Sequence, residues 1–180
     1  MPNQRIVLLV TVLFISHTAY AAAQTRPDVA RQYGGYLSAL HESDLRSSTD
    51  TNEVYRALWL RSFHEPVSVR ISRRGDEYFA ITAQGSRRDS TTVPSSSWDL
   101  LHMRNAMRDF WSTEPTPLPN GAVGADGARW VLEGRHGHQY HVVDWWSPQE
   151  SAESVEGAYR RLFLEILSLG TVCVGPDAVY

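Results

Sequence analysis

The sequence predicts an α+β fold, a two-layer domain whose mainly antiparallel sheet of five or six strands carries two amphipathic helices on one face. Three observations lead there. Short runs of alternating apolar and polar residues, rich in β-branched and aromatic side chains, are separated by brief turn segments. Two stretches repeat their apolar residues at helical spacing instead. The order is strands, helix, hairpin, helix, with no internal repeat or compositional break, so one sheet face collects both helices.

Residues 1–23 have the layout of a secretory signal peptide: Arg5, an apolar run from Ile6 to Ile15, and small residues at Ala19 and Ala21 to Ala23. The run is too short for a permanent membrane span, so no transmembrane segment is expected after cleavage. About 157 residues then remain, enough for one domain with a real core. Residues 24–52 are polar and hold Gly34-Gly35; they read as a flexible N-terminal segment, with at most a short helix from Tyr36 to Leu45. The single domain is expected over 53–170, and 171–180 form a tail.

Within that domain, Glu53 to Phe63 alternates as a strand, with Val54, Arg56, Leu58 and Leu60 on one side and Tyr55, Ala57 and Trp59 on the other. Pro66 precedes a second strand, Val67 to Ser72; Arg73 to Asp76 turns the chain into a third, Glu77 to Thr82; Ser90 to Val93 fits a short edge strand. Ser95 to Ser97 offer N-caps for a helix from Trp98 to about Trp111, with a stripe of Trp98, Leu101, Met107 and Trp111. Residues 112–127 hold three Pro and three Gly and form a loop. The last helix runs from about Ser154 to Leu169 and turns Tyr159, Leu162, Phe163, Ile166 and Leu167 inward.

Between the helices, Asp126 to Pro148 reads as a β-hairpin bent at His136-Gly137, since Gly supplies the positive φ of a two-residue turn. That bend sets Arg129 opposite Asp144, Val131 opposite Val142 and Glu133 opposite Tyr140. Trp130, Leu132, Val143 and Trp145 share the core side. The other side gathers Arg129, Glu133, Tyr140, Asp144 and Trp146, an aromatic strip with mixed charge that suits a contact surface.

The strings DGARWVLEG and YHVVDWWSP, with EVYRALWLRSFHEPVSVRI upstream and RDFW between, resemble a family of exported, mostly bacterial proteins. That family shares a DG..W.LEG / YHVV...WSP hairpin and has no established activity. The resemblance covers most of the chain after residue 23; it implies export and carries over no catalytic residue. A basic residue often precedes the Trp of WSP in the family, and Trp145 holds that place here.

Composition narrows the function classes. All 17 basic residues are Arg, against 20 acids, a balance without the basic footprint of nucleic-acid binding. One Cys, Cys173, rules out an internal disulfide. His136, His138 and His141 crowd the hairpin, but 138 and 141 differ by an odd number on a strand and point to opposite faces, so no metal site is expected. No Ser lies in G-x-S-x-G, and no nucleophile has an evident base beside it. Phe63-His64-Glu65-Pro66 lines a cleft if it lies beside the hairpin. The expectation is therefore an exported, soluble binding module, catalytic residues and cofactors none, working through Arg129, Glu133, Tyr140, Asp144 and Trp146 on an envelope protein or small ligand. The alternative is a small periplasmic hydrolase with a Glu/His cleft built from Glu133, His64 and His141.

Overall fold

The computed structural model describes residues 28–49, 52–103, 105–113, 126–151 and 153–172. The expected signal at 1–23, Cys173, most of the tail and most of the 112–127 loop lie outside the described residues. The strands are β1 (Val54–Arg61), β2 (Val67–Arg74), β3 (Glu77–Gln84), β4 (Arg87–Thr92), β5 (Ala128–His136) and β6 (Gln139–Trp146). They form one open sheet in the order β4-β3-β2-β1-β5-β6, antiparallel throughout. Four helices complete the α+β domain: α1 (Val29–Ala39), α2 (Ser95–Met103), α3 (Asn105–Ser112) and α4 (Val155–Ser168).

Alternation along the strands divides the sheet into two faces, as the sequence predicts. Tyr55, Ala57 and Trp59 of β1 join Val67, Val69 and Ile71 of β2 and Trp130 and Leu132 of β5 in the main core. The stripe of α4 (Leu162, Phe163, Ile166, Leu167) and Trp98, Leu101, Met107 and Phe110 of α2 and α3 close over that face. Trp59 and Trp130 meet edge to face there, ring centres 5.8 Å apart and both fully buried, a geometry that adds to their large area burial. One helix from Trp98 to Trp111 was the sequence expectation; two short ones, α2 and α3, stand in its place.

The second face is where the structure departs from the sequence reading. Residues 24–52 were expected to be flexible, with a helix at 36–45. Instead α1 starts seven residues earlier, capped by the Asp28 carboxylate, which accepts from the Arg31 amide at 3.0 Å. Its Val29, Tyr33, Leu37 and the following Leu40 pack on Leu58, Ala83, Val131 and Val142. Their spacing of four, four and three is an amphipathic stripe. Gly34 and Gly35, which suggested a loose segment, have open space around them and so lie off the packed side.

The hairpin register also moves. The central turn residues are Gly137 and His138, with His136 paired to Gln139 and Gly137 at φ 59. Positive φ at the first central position is one of the two forms that two-residue hairpin turns favour. The shift is two residues, so every side chain keeps its predicted face while its partner changes. Arg129 stands opposite Trp146, Glu133 opposite Val142, and Asp144 opposite Val131.

Candidate functional site

Placing α1 on the second face changes the meaning of the charged hairpin side. Glu133 and Asp144 are fully buried, Arg129 and Arg135 nearly so, and Tyr140 packs against the α1 cluster. The face expected to be an open contact surface is interior, because the helix that covers it falls in the stretch read as flexible.

Buried charge is costly without partners, and two sets supply them for Glu133, Asp144 and Arg129. In the first, Arg56 Nε donates to Glu133 Oε2 at 2.7 Å and Tyr140 donates its hydroxyl to Glu133 Oε1 at 2.8 Å. On its other side Arg56 meets Glu42, from the segment after α1, at 3.3 Å; Arg70 and Arg88 reach the same carboxylate at 3.0 and 3.2 Å. Burial works against the Arg56 charge, but Glu133 and Glu42 outweigh it and its pKa rises. Burial also raises the Tyr140 hydroxyl far above its ordinary range, with Glu133 adding to the effect. This set ties β1, β2, β4 and β5 to the chain after α1.

In the second set, Tyr33 of α1 donates its hydroxyl to Asp144 Oδ2 at 2.6 Å, while Arg129 Nη1 lies 3.4 Å from Asp144 Oδ1. The predicted pair forms diagonally instead of directly across the strands, within the reach of a long side chain. Burial pushes the Asp144 pKa up, against the Tyr33 hydrogen bond and the Arg129 charge.

Arg129 also leads out of the core. Its guanidinium lies 5.5 Å from the centre of the Trp146 ring, and both residues line a cleft of about 650 Å³ between the open end of the hairpin, α1 and the β1–β2 loop. That loop is the Phe63-His64-Glu65-Pro66 segment, and it lies beside the hairpin. Ser62 N donates to Gly127 O at 2.9 Å and joins the two. Trp146 itself is pinned. Gly127, at φ 140, leaves no room for a Cβ, which would stand 2.7 Å from Trp146 Cζ2 and 2.6 Å from Ser147 Oγ. Ser147 Oγ accepts from the Ala128 amide at 2.9 Å, and Ser147 N donates to Ala128 O at 2.7 Å.

The cleft mouth is aromatic. Phe63 is 89% exposed and Tyr36 48% exposed, and both border the opening. Phe63 holds φ 64, a left-handed conformation that non-glycine residues avoid. Another void, about 10 Å³ between α3, β6 and α4, has room for little more than a water.

Of the sequence-predicted site residues, the structure brings Arg129, Trp146 and His64 to one cleft. Glu133, Tyr140 and Asp144 stand behind it as buried framework. His141 lies on the opposite sheet face, its ring 4.8 Å from that of Phe110, so Glu133, His64 and His141 do not converge. Among the described residues no group of three His, Cys, Asp or Glu is placed to hold a metal. Nor is any described helix long and apolar enough to cross a membrane. Sequence reasoning missed Tyr33, Tyr36 and Gln32, all carried to the cleft by α1. The stripe of Val29, Tyr33 and Leu37 was the signal that would have found them. Comparison of the chain with family models, curated proteins and solved structures finds no match.

Proposed function

We propose that the protein is an exported, non-enzymatic binding module whose contact surface is the cleft at the open end of the hairpin. The observation that carries this is the lining: an exposed Phe63 on a left-handed backbone and an exposed Tyr36 share one concavity with Trp146 and Arg129. About 650 Å³ falls in the range of small-molecule sites, which combine apolar walls with a few placed polar groups. Strained backbone persists where the surroundings hold it, and such positions gather at ligand sites. The signal-like residues 1–23 and the hairpin likeness to an exported family belong to the same proposal.

The test is a nitrogen-labelled sample titrated with small aromatic compounds of neutral, cationic and anionic character, read at the Trp146 indole N–H and the Tyr36 and Phe63 amides. Binding at the cleft moves these signals together, and the paired change Tyr36→Ala with Phe63→Ala weakens it. Shifts confined to other regions, or none at millimolar compound, would remove the proposal. Export is checked separately by the mass of the chain recovered outside the cytoplasm, which should begin near Gln24.

A further inference from the structure

We infer that the cleft takes a ligand presenting a free carboxylate on a flat apolar body, the carboxylate on Arg129 and the body against Trp146. This rests on the binding reading above and names its ligand class.

The cleft lining holds a guanidinium whose fork is only partly used. Arg129 meets Asp144 through Nη1 at 3.4 Å, and its side chain keeps 10% exposure toward the cleft. Among the described residues Asp144 is the acceptor it meets, whereas a guanidinium carries five N–H donors in one plane. Asp144 is served from its other side by Tyr33, so the carboxylate is held without drawing the whole fork inward. Contact with the Trp146 ring keeps the guanidinium in place, and a held planar fork suits bidentate recognition of a carboxylate.

The cleft lining holds two cations, Arg129 and Arg61, and one acid, Glu65. Arg61 lies on the neighbouring strand at the same end, where it pairs with Ala128, the residue before Arg129. Its guanidinium rests on Trp59, 4.4 Å from the ring centre. That ring belongs to the main core, so the Arg61 guanidinium lies on the other side of the sheet from Arg129, and Arg61 has further partners of its own. The acid of the lining, Glu65, turns its carboxylate to Gly85, within 2.9 Å of where a Cβ there would stand. Arg129, beside Trp146, is therefore the cation that the cleft offers a ligand. Both a small aromatic acid and the C-terminal residue of a peptide offer the matching chemistry.

The experiment pairs each acid with its amide on the labelled protein: indole-3-acetate with indole-3-acetamide, and the peptide Gly-Gly-Phe with a free or an amidated C-terminus. The Arg129 Nε–H and Trp146 indole signals report the site. Free acids should bind about tenfold or more tighter than their amides, as a charge-assisted bidentate contact implies, and Arg129→Gln should shrink that ratio to about twofold. Because Arg129→Gln also strips Asp144 of its cation, Phe63→Ala, at an exposed position, runs alongside; it should weaken acid and amide alike. The tighter of the two acids assigns the source. Equal affinity of acid and amide at the cleft would overturn the carboxylate class and leave the binding reading intact. Failure of every acid at millimolar concentration, or an equal response to inorganic phosphate alone, would overturn it too. Binding that leaves Arg129 and Trp146 unmoved would overturn both.

Discussion

Replacing Glu133 by Gln separates the two roles open to the charged hairpin side, buried framework or contact surface. Glu133 is 0% exposed and accepts from Arg56 and Tyr140 at 2.7 and 2.8 Å. Gln keeps the volume and an acceptor oxygen but removes the charge. Arg56, also 0% exposed, is left with Glu42 at 3.3 Å as its counter-ion. Removing one partner of a buried ion pair costs about 3–5 kcal/mol. Glu42 remains, so the lower end applies, about 3 kcal/mol, a large share of the roughly 5–15 kcal/mol of a domain. With a urea slope of about 2 kcal/mol/M, the midpoint should fall by roughly 1.5 M. The companion variant, Arg56→Met with Glu133→Leu, removes both charges and should lose less than Glu133→Gln alone. Tryptophan fluorescence through a urea titration reads all three proteins. A loss under about 1 kcal/mol for Glu133→Gln is what a solvated pair yields, and it would mean that the carboxylate is hydrated and the α1 side open.

Two other predictions concern Asp144 and Phe63. Burial raises the folded-state pKa of Asp144 above its ordinary 3.8, so its contribution to stability is fully present below that value and is lost as pH rises through the folded pKa. The stability of Asp144→Asn relative to the parent should therefore climb as pH rises from below 3.8 through the mildly acidic range; a flat or falling difference in urea unfolding would reject the burial argument. Phe63→Gly should leave the domain as stable or up to about 1 kcal/mol more stable, because relief of the left-handed backbone exceeds the added unfolded-state freedom, while ligand binding at the cleft weakens; a stability loss above about 1 kcal/mol would show that the fold needs the side chain.

Much of this architecture was legible because period-two and 3.6-residue patterns are strong where one face is buried. Tyr55-Ala57-Trp59 against Val54-Arg56-Leu58, and the stripe of α4, are such cases, and their faces are as read. The register was less legible. Either placement of Gly137 in a two-residue turn satisfies its positive φ, and the two differ by two residues, which the face pattern cannot detect. Helix α1 was masked by composition: Gly34-Gly35 and the surrounding polar residues outweighed a three-residue apolar stripe. That one omission also misread Glu133 and Asp144, since a buried ion set and a solvated sheet face carry the same residue types along a strand. What distinguishes them is the partner: Arg56 lies 77 residues from Glu133 and Tyr33 lies 111 from Asp144, while Tyr33 and Glu42 fall in the segment read as flexible.

Among the described residues three non-glycine positions have positive φ, His41, Phe63 and Ser147, and the fold accounts for two of them. His41 follows α1, where Arg88 donates to the Leu40 and His41 carbonyls, so the bend there terminates a helix. Ser147 ends the hairpin, and its amide and hydroxyl both engage Ala128; its bend closes the ladder and seats Trp146 on Gly127. At Phe63 the side chain stands 89% exposed and fills no part of the core. A glycine or asparagine would hold that turn with less strain. A large aromatic at a disfavoured backbone position, lining the same cleft as Trp146 and Arg129, has no evident role in the fold, and the proposed binding at that cleft would supply one.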